Sequence, residues 1–217
     1  MTLNGSFAKA ALTAALCVAL GGCVSLLPKA KPVQLYRFGA ATAPVSEAAA
    51  PAPALTIARG NIDFDSAAAT DRILTVAGSD AAYIAGGRWV SPAPVLFQEA
   101  LMRAFQAAPG APRLVDRGGV SRASLVLTLD VQAFEARYDN GRGKAPQVAV
   151  QVHAVLVGRG DGKPVGEKIF TATARAGDNR IGAIVDAYDQ ALGALFADLI
   201  GWSGGFASQA ATPASTD

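Results

Sequence analysis

Four stretches carry side chains that could do chemistry. They are Cys23 behind Gly21 and Gly22, the lone His153, the glycine-rich run from Gly158 to Lys163, and the acids Asp63 and Asp65. His153 is the only histidine, whereas a His/Cys metal site needs several such ligands, so no metal is expected. A Ser–His–Asp relay needs its serine on a sharp strand-to-helix turn, and no such elbow is expected here. His153 therefore reads as a solvated strand residue, and no catalytic residue is assigned. The Gly158–Lys163 run invites a phosphate-loop reading, but Pro164 stands where a Ser or Thr is required and a strand follows instead of a helix. It reads as a hairpin loop. Asp63 and Asp65 resemble the start of a calcium loop, yet the glycine and distal glutamate are missing, so they read as solvated acids at a strand end.

Cys23 is different. It follows an apolar run from Ala10 to Leu20 behind a single basic residue, Lys9. Crossing about 30 Å of hydrocarbon takes roughly 20 helical residues, so this run is too short to span. It fits the core of a secretory signal with small residues before the cut. Leu20-Gly21-Gly22-Cys23 resembles a bacterial lipobox: cleavage after Gly22, with lipid attached to the Cys23 sulfur at the new N-terminus. That would anchor the chain to a membrane through its acyl chains. In Gram-negative lipoproteins an Asp after the cysteine commonly retains the protein at the inner membrane. Val24 stands there, so the resemblance implies the outer membrane, facing the periplasm.

The totals set bounds. Of 217 residues, removal of the first 22 leaves 195, enough for one domain with a real core. Losing Lys9 leaves 18 basic against 17 acidic side chains, which argues against nucleic acid as a partner and supplies no polybasic membrane patch. The two cysteines are Cys17, inside the signal, and Cys23, so the mature domain holds neither a free thiol nor a disulfide.

The patterning predicts how the rest is organised: a signal over 1–22, a lipidated tether over 23–32, one domain over 33–202 and a disordered tail over 203–217. Val33–Phe38 reads as a strand, followed by a flexible Ala/Pro-rich loop over 39–54 and a second strand over Leu55–Phe64. Asp71–Ala77 and Ala81–Ala85 read as a hairpin turned at Gly78-Ser79-Asp80, with Gly86-Gly87 breaking its second strand. Ser91 before Pro92 reads as the cap of an amphipathic helix burying Val95, Leu96, Ala100, Leu101, Ala104 and Phe105. Period-two alternation from Leu125, from Val148 and from Phe170 predicts three long strands with one polar face. Ile181, Ile184, Val185, Tyr188, Leu192, Leu195, Phe196 and Leu199 predict a second helix over about 179–200. The sum is an α+β single domain: an antiparallel sheet with two amphipathic helices packed on one face. No cofactor is called for.

The lipobox, Leu35-Tyr36-Arg37-Phe38, Asp71-Arg72-Ile73, Tyr83, and Arg88-Trp89-Val90-Ser91-Pro92 before a helix together resemble the ABC-type transport auxiliary lipoproteins, the PqiC-like family. The resemblance implies a non-enzymatic subunit on the outer-membrane side of an MCE-type system, an ABC transporter carrying lipids across the periplasm. Its implied partner is the MCE-family periplasmic protein, and self-association into a homo-oligomer stays open. The alternatives are a periplasmic lipid carrier, which needs a cavity between helices and sheet, and an envelope esterase. Tyr83 and Trp89, large aromatics beside a Gly-Gly break, are either core plugs or partner contacts. Arg142 and Lys144 sit on a Gly-rich hairpin tip, where an exposed loop could touch a partner.

Overall fold

The computed structural model describes residues 32–39, 56–116 and 123–210, with side chains to 206. The lipobox, most of the tether, the Ala/Pro stretch from 40 onward and the last seven residues lie outside them. The chain divides between Pro32 and Val33 into two units, and the second carries every element described. In order these are β1 (Gln34–Tyr36), β2 (Thr56–Phe64), β3 (Arg72–Ala77), β4 (Asp80–Trp89), α1 (Ala93–Ala107), β5 (Arg113–Val115), β6 (Leu125–Arg137), β7 (Gln147–Gly158), β8 (Pro164–Arg175) and α2 (Ile181–Ala210).

The sheet is built around β6. Leu125, Leu127, Leu129 and Val131 are buried in alternation, as period two requires. A register shift against β7 between Val131 and Ala133 then moves the buried phase to Phe134 and Ala136. One edge of β6 pairs antiparallel with β7, which pairs antiparallel with β8. The other edge takes two strands end to end. β2 runs parallel to its first half, Ile57 beside Leu125 through Phe64 beside Val131, and β3 runs parallel to its end, Thr75 beside Ala136. The backbone between them swings out at Asp65, whose N–H still donates to the Val131 carbonyl at 3.1 Å. β4 pairs antiparallel with β3, while β1 and β5 add parallel to β4 and β2.

The α+β class stands, but the sheet is mixed rather than antiparallel. Alternation tells which face a side chain takes and nothing about strand direction, and the connection through α1 and β5 delivers β6 parallel to both β2 and β3. Gly86-Gly87 does not break β4 either. With Gly86 at φ +81°, which only glycine adopts cheaply, the strand bulges and continues to Trp89.

Both helices lie on the same face. α1 buries Ala93, Leu96, Phe97, Ala100, Leu101 and Phe105. The stripe is therefore centred on Phe97, and the expected Val95 faces outward, because α1 lies one position round from the sequence-based phase. Ser91 makes no cap bond; Pro92 sits at the cap, and the Ala93 N–H donates to the Thr70 carbonyl at 3.0 Å. Between helices and sheet the space is filled by rings. Phe38 meets Trp89 edge-on at 4.9 Å, Trp89 meets Tyr188 at 5.2 Å, and Phe134 meets Tyr188 at 4.8 Å. Phe97 joins Phe64 at 5.4 Å and Phe196 at 5.2 Å. Such pairs add about 0.5–1.5 kcal/mol each beyond the area they bury.

α2 outruns its expected end at Ile200. Residues 203–210, assigned to a disordered tail, are helical. The stripe continues past Leu199 because Trp202 meets Phe170 edge-on at 5.5 Å and Phe206 edge-on at 5.2 Å. Gly166 of β8 leaves room for the Phe206 ring, which a Cβ there would meet at 2.6 Å. The signal was present as an aromatic pair four residues apart, and three glycines obscured it.

Tyr188 is fully buried, and its hydroxyl has no hydrogen-bond partner among the described residues. Burial pushes its pKa far up, with Glu135 adding to the rise, so it stays neutral. An unpaired buried hydroxyl costs about 1–3 kcal/mol, so Tyr188→Phe should leave the protein as stable or about 1 kcal/mol more stable, read as the urea midpoint. A loss above 1 kcal/mol would mean the hydroxyl is paired after all.

Candidate docking surface

At one end of the sheet the β3–β4 turn, the β6–β7 hairpin and the start of α2 come together. Backbone bonds set the hairpin: the Tyr138 N–H donates to Val76 O at 2.8 Å, Gly141 N–H to Tyr138 O at 3.3 Å, and Lys144 N–H to Gly141 O at 3.0 Å. Gly141 takes φ +92°, which only glycine tolerates in this turn. Side chains then tie the three segments to one another. Arg142 Nη2 donates to Asp80 Oδ2 at 3.3 Å, linking the two turns. Asn179 Nδ2 donates to the Arg142 carbonyl at 3.0 Å, and the Tyr138 hydroxyl donates to Asn179 Oδ1 at 2.7 Å. Arg175 grips Asp139 through both guanidinium nitrogens, at 2.5 and 2.6 Å, and also reaches the Ala145 carbonyl at 3.2 Å.

The electrostatics follow from this pairing. The Arg175 hydrogen bonds hold the Asp139 carboxyl below its ordinary range, and Arg180 does the same for Asp178. Burial lifts the Tyr138 phenol, with Arg142 pulling it back. All these groups lie at the surface, so the network orients the tip more than it stabilises the domain.

Of the candidate contacts, Arg142 and Lys144 are exposed on this tip. Trp89 is not a contact residue: it is 2% exposed and lies in the ring cluster, because the Gly86-Gly87 bulge turns it inward. Tyr83 is half-buried, its hydroxyl donating to the Ala67 carbonyl at 3.0 Å and the Arg72 guanidinium 3.9 Å over its ring. Asp80, Tyr138, Asp139, Arg175 and Asn179 were not singled out from the sequence. Their only signal was polar residues at turn positions, and their convergence requires the register.

His153 lies on the helix-free face with its Nε2 2.7 Å from Glu167 Oε1. Gly201–Gly205 does spell Gly-x-Ser-x-Gly, but it lies within α2. Ser203 is fully buried and its hydroxyl donates to the Ile200 carbonyl at 3.0 Å, on the other side of the sheet from His153. The glycine-rich run is a hairpin loop, with Gly158 N–H donating to Lys163 O at 2.8 Å and Lys163 N–H to Asp161 Oδ1 at 3.1 Å. Asp65 caps a turn, accepting from Ala67 N–H at 2.9 Å. Among the described residues no group of His, Cys, Asp and Glu is placed to hold a metal.

One further concavity, about 510 Å³, lies between the end of α1 and β5. Met102, Phe105, Pro112 and Leu114 line it, with Arg113 and Asp116. Asp116 is taken by Arg59, at 2.8 Å.

The fold, a mixed sheet under two helices, is one other proteins share. Protein XCC0632 from Xanthomonas campestris superposes at a TM-score of 0.66 with 19% identity, over 82% of this chain and 96% of that one. Hypothetical protein CT253 from Chlamydia trachomatis follows at 0.50 and 10%, over 71% and 99%. These likenesses concern the fold alone. No curated protein matches the chain. The chain belongs to the family of ABC-type transport auxiliary lipoprotein components, whose family model matches residues 36–199.

Proposed function

We propose that the chain is a lipid-anchored, non-enzymatic subunit of an MCE-type ABC lipid transport system. Cys23 carries the anchor, at the periplasmic face of the outer membrane. The hairpin end, with Arg142 and Lys144 at its tip, docks onto the MCE-family periplasmic protein. The observation that carries this reading is the placement of that tip. β4 runs from Asp80, at the hairpin end, to Trp89 beside β1, where the tether enters. β1 begins at Gln34 beside Gly87, so seven steps at about 3.3 Å put the tether's entry roughly 20–25 Å from Asp80. A tethered end and a pinned, polar, exposed end at opposite extremes suit a bridge between a membrane and a protein. The filled seam leaves chemistry and storage to the partner.

Charge reversal tests it. Arg142→Glu with Lys144→Glu is expected to weaken copurification of the MCE protein from detergent-solubilised membranes by about tenfold or more, as loss of rim and anchor charges does at interfaces. Far-UV circular dichroism should be unchanged. Undiminished copurification would remove the hairpin tip from the docking surface.

The lipid-carrier reading keeps one supporting observation, the apolar concavity at α1 and β5, whose size falls in the roughly 300–1,000 Å³ range of small-ligand sites. Lipid copurifying with the wild-type protein and lost on Leu114→Asp would favour it.

A further inference from the structure

β1 and the end of β4 present a face on which no helix packs among the described residues. In their parallel register Leu35 lies beside Arg88 and Tyr36 beside Trp89. Tyr36 and Trp89 point to the helices, so Leu35 and Arg88 point away, together with Val33 two residues before Leu35 and Val90 two residues after Arg88, while Arg37, past the end of β1, reaches toward α1. Leu35 is 60% exposed, Val33 49% and Val90 43%, half of the large apolar side chains this exposed among the described residues. Arginines alternate with them. Arg88 is paired with Asp71 at 3.0 Å, Arg37 lies 3.8 Å from Glu99, and Arg72, in register with Arg88, stands over Tyr83.

The sequence leading into this face has the same character. From Cys23 the first acid is Glu47, and before it come Lys29, Lys31 and Arg37. The near-neutral total conceals a one-signed segment. Nine residues separate Cys23 from Val33, so a chain attached at Cys23 holds this face within about 35 Å of its attachment point even when fully extended. Exposed aliphatics interleaved with guanidinium groups, at the end of a short basic tether, match the chemistry of a membrane interface. There the aliphatics enter the acyl boundary and the cations meet anionic headgroups.

We propose that the Val33–Leu35–Val90 face rests on the anchoring bilayer, with anionic lipid headgroups as its polar partners, so that the body is oriented by the membrane and not merely leashed to it. This rests on the reading that Cys23 is acylated.

The test uses the mature acylated protein, whose only thiol after acylation is one introduced at Leu35→Cys or, as a control at the far end of β4, Ser79→Cys. Each is labelled with an environment-sensitive dye and reconstituted in vesicles containing phosphatidylglycerol, with and without lipid-borne spin labels. The dye at position 35 should shift to the blue and lose intensity to the spin labels; the dye at 79 should do neither. Replacing phosphatidylglycerol by phosphatidylcholine should reduce the shift at 35. An unshifted dye at 35, or equal quenching at both positions, would overturn the resting face. Equal shifts in both lipids would overturn headgroup recognition. Failure of the anchor is read separately, because an unacylated Cys23 would itself take the dye in the protein without an introduced cysteine.

Discussion

Truncation of Trp89 to alanine is expected to lower the unfolding free energy by about 3–5 kcal/mol, the usual cost of emptying a buried aromatic site. The figure follows from position. Trp89 joins β4 to the helical layer, touching Phe38 at 4.9 Å, Tyr188 at 5.2 Å and Phe134 at 6.4 Å. Its backbone N–H is also committed, to the Asp71 carbonyl at 2.7 Å. The three surrounding rings belong to three different elements or segments and cannot collapse together into the void. Domains have about 5–15 kcal/mol to lose, so the variant should sit near the edge of folding. At this size the melting temperature should fall by roughly 10 °C. Leu35→Ala, at the surface, should change it by about 0.5 kcal/mol or less. If Trp89→Ala cost no more than Leu35→Ala, the ring cluster would not be the core.

Cys23→Ala should abolish lipid attachment and with it the normal membrane fractionation of the mature protein. The expected product is soluble or uncleaved, and metabolic labelling with palmitate should not reach it. Among the described residues no helix is long and apolar enough to cross a membrane. The size of the effect comes from hydrocarbon. Each buried methylene contributes about 0.8 kcal/mol, one chain gives only marginal binding, and two or more hold stably. The interfacial face at Leu35 and Val33 would add orientation but far less affinity. Normal fractionation of the alanine variant, together with absent palmitate labelling of the wild type, would sink the lipobox.

Much of the fold was legible because its periods are clean. Leu125 to Val131, Val148 to Leu156 and the stripe from Ile184 to Leu199 each keep one period long enough to commit an element and a face. Strand direction was not legible, since it depends on how the chain returns to the sheet and not on the strands themselves. Nor was the phase of α1, where Val95 and Phe97 differ only in which of two apolar neighbours the sheet accepts. The helical tail hid behind Gly201, Gly204 and Gly205, whose low helix propensity is overridden when Trp202 and Phe206 pack on β8. Cys23 lies outside the described residues, so its reading rests on its sequence neighbours alone. The hairpin cluster could not, because Asp80, Asp139, Arg175 and Asn179 meet only after the strands register. Trp89 had two readings, and burial decided for the core.

The end-to-end seating of β2 and β3 along β6 has a consequence for how the molecule is made. About seventy residues separate Ile57 from its partner Leu125, so β2 has no β6 to pair with until the second half of the chain is in place. Local pairing is available in the β3–β4 hairpin and, later, in the meander from β6 to β8 and the α2 helix that follows. Distant closures come last and slowly. The apolar face of β2 should therefore stay exposed until the carboxy-terminal half arrives as a template, and that interval is where the chain is open to aggregation.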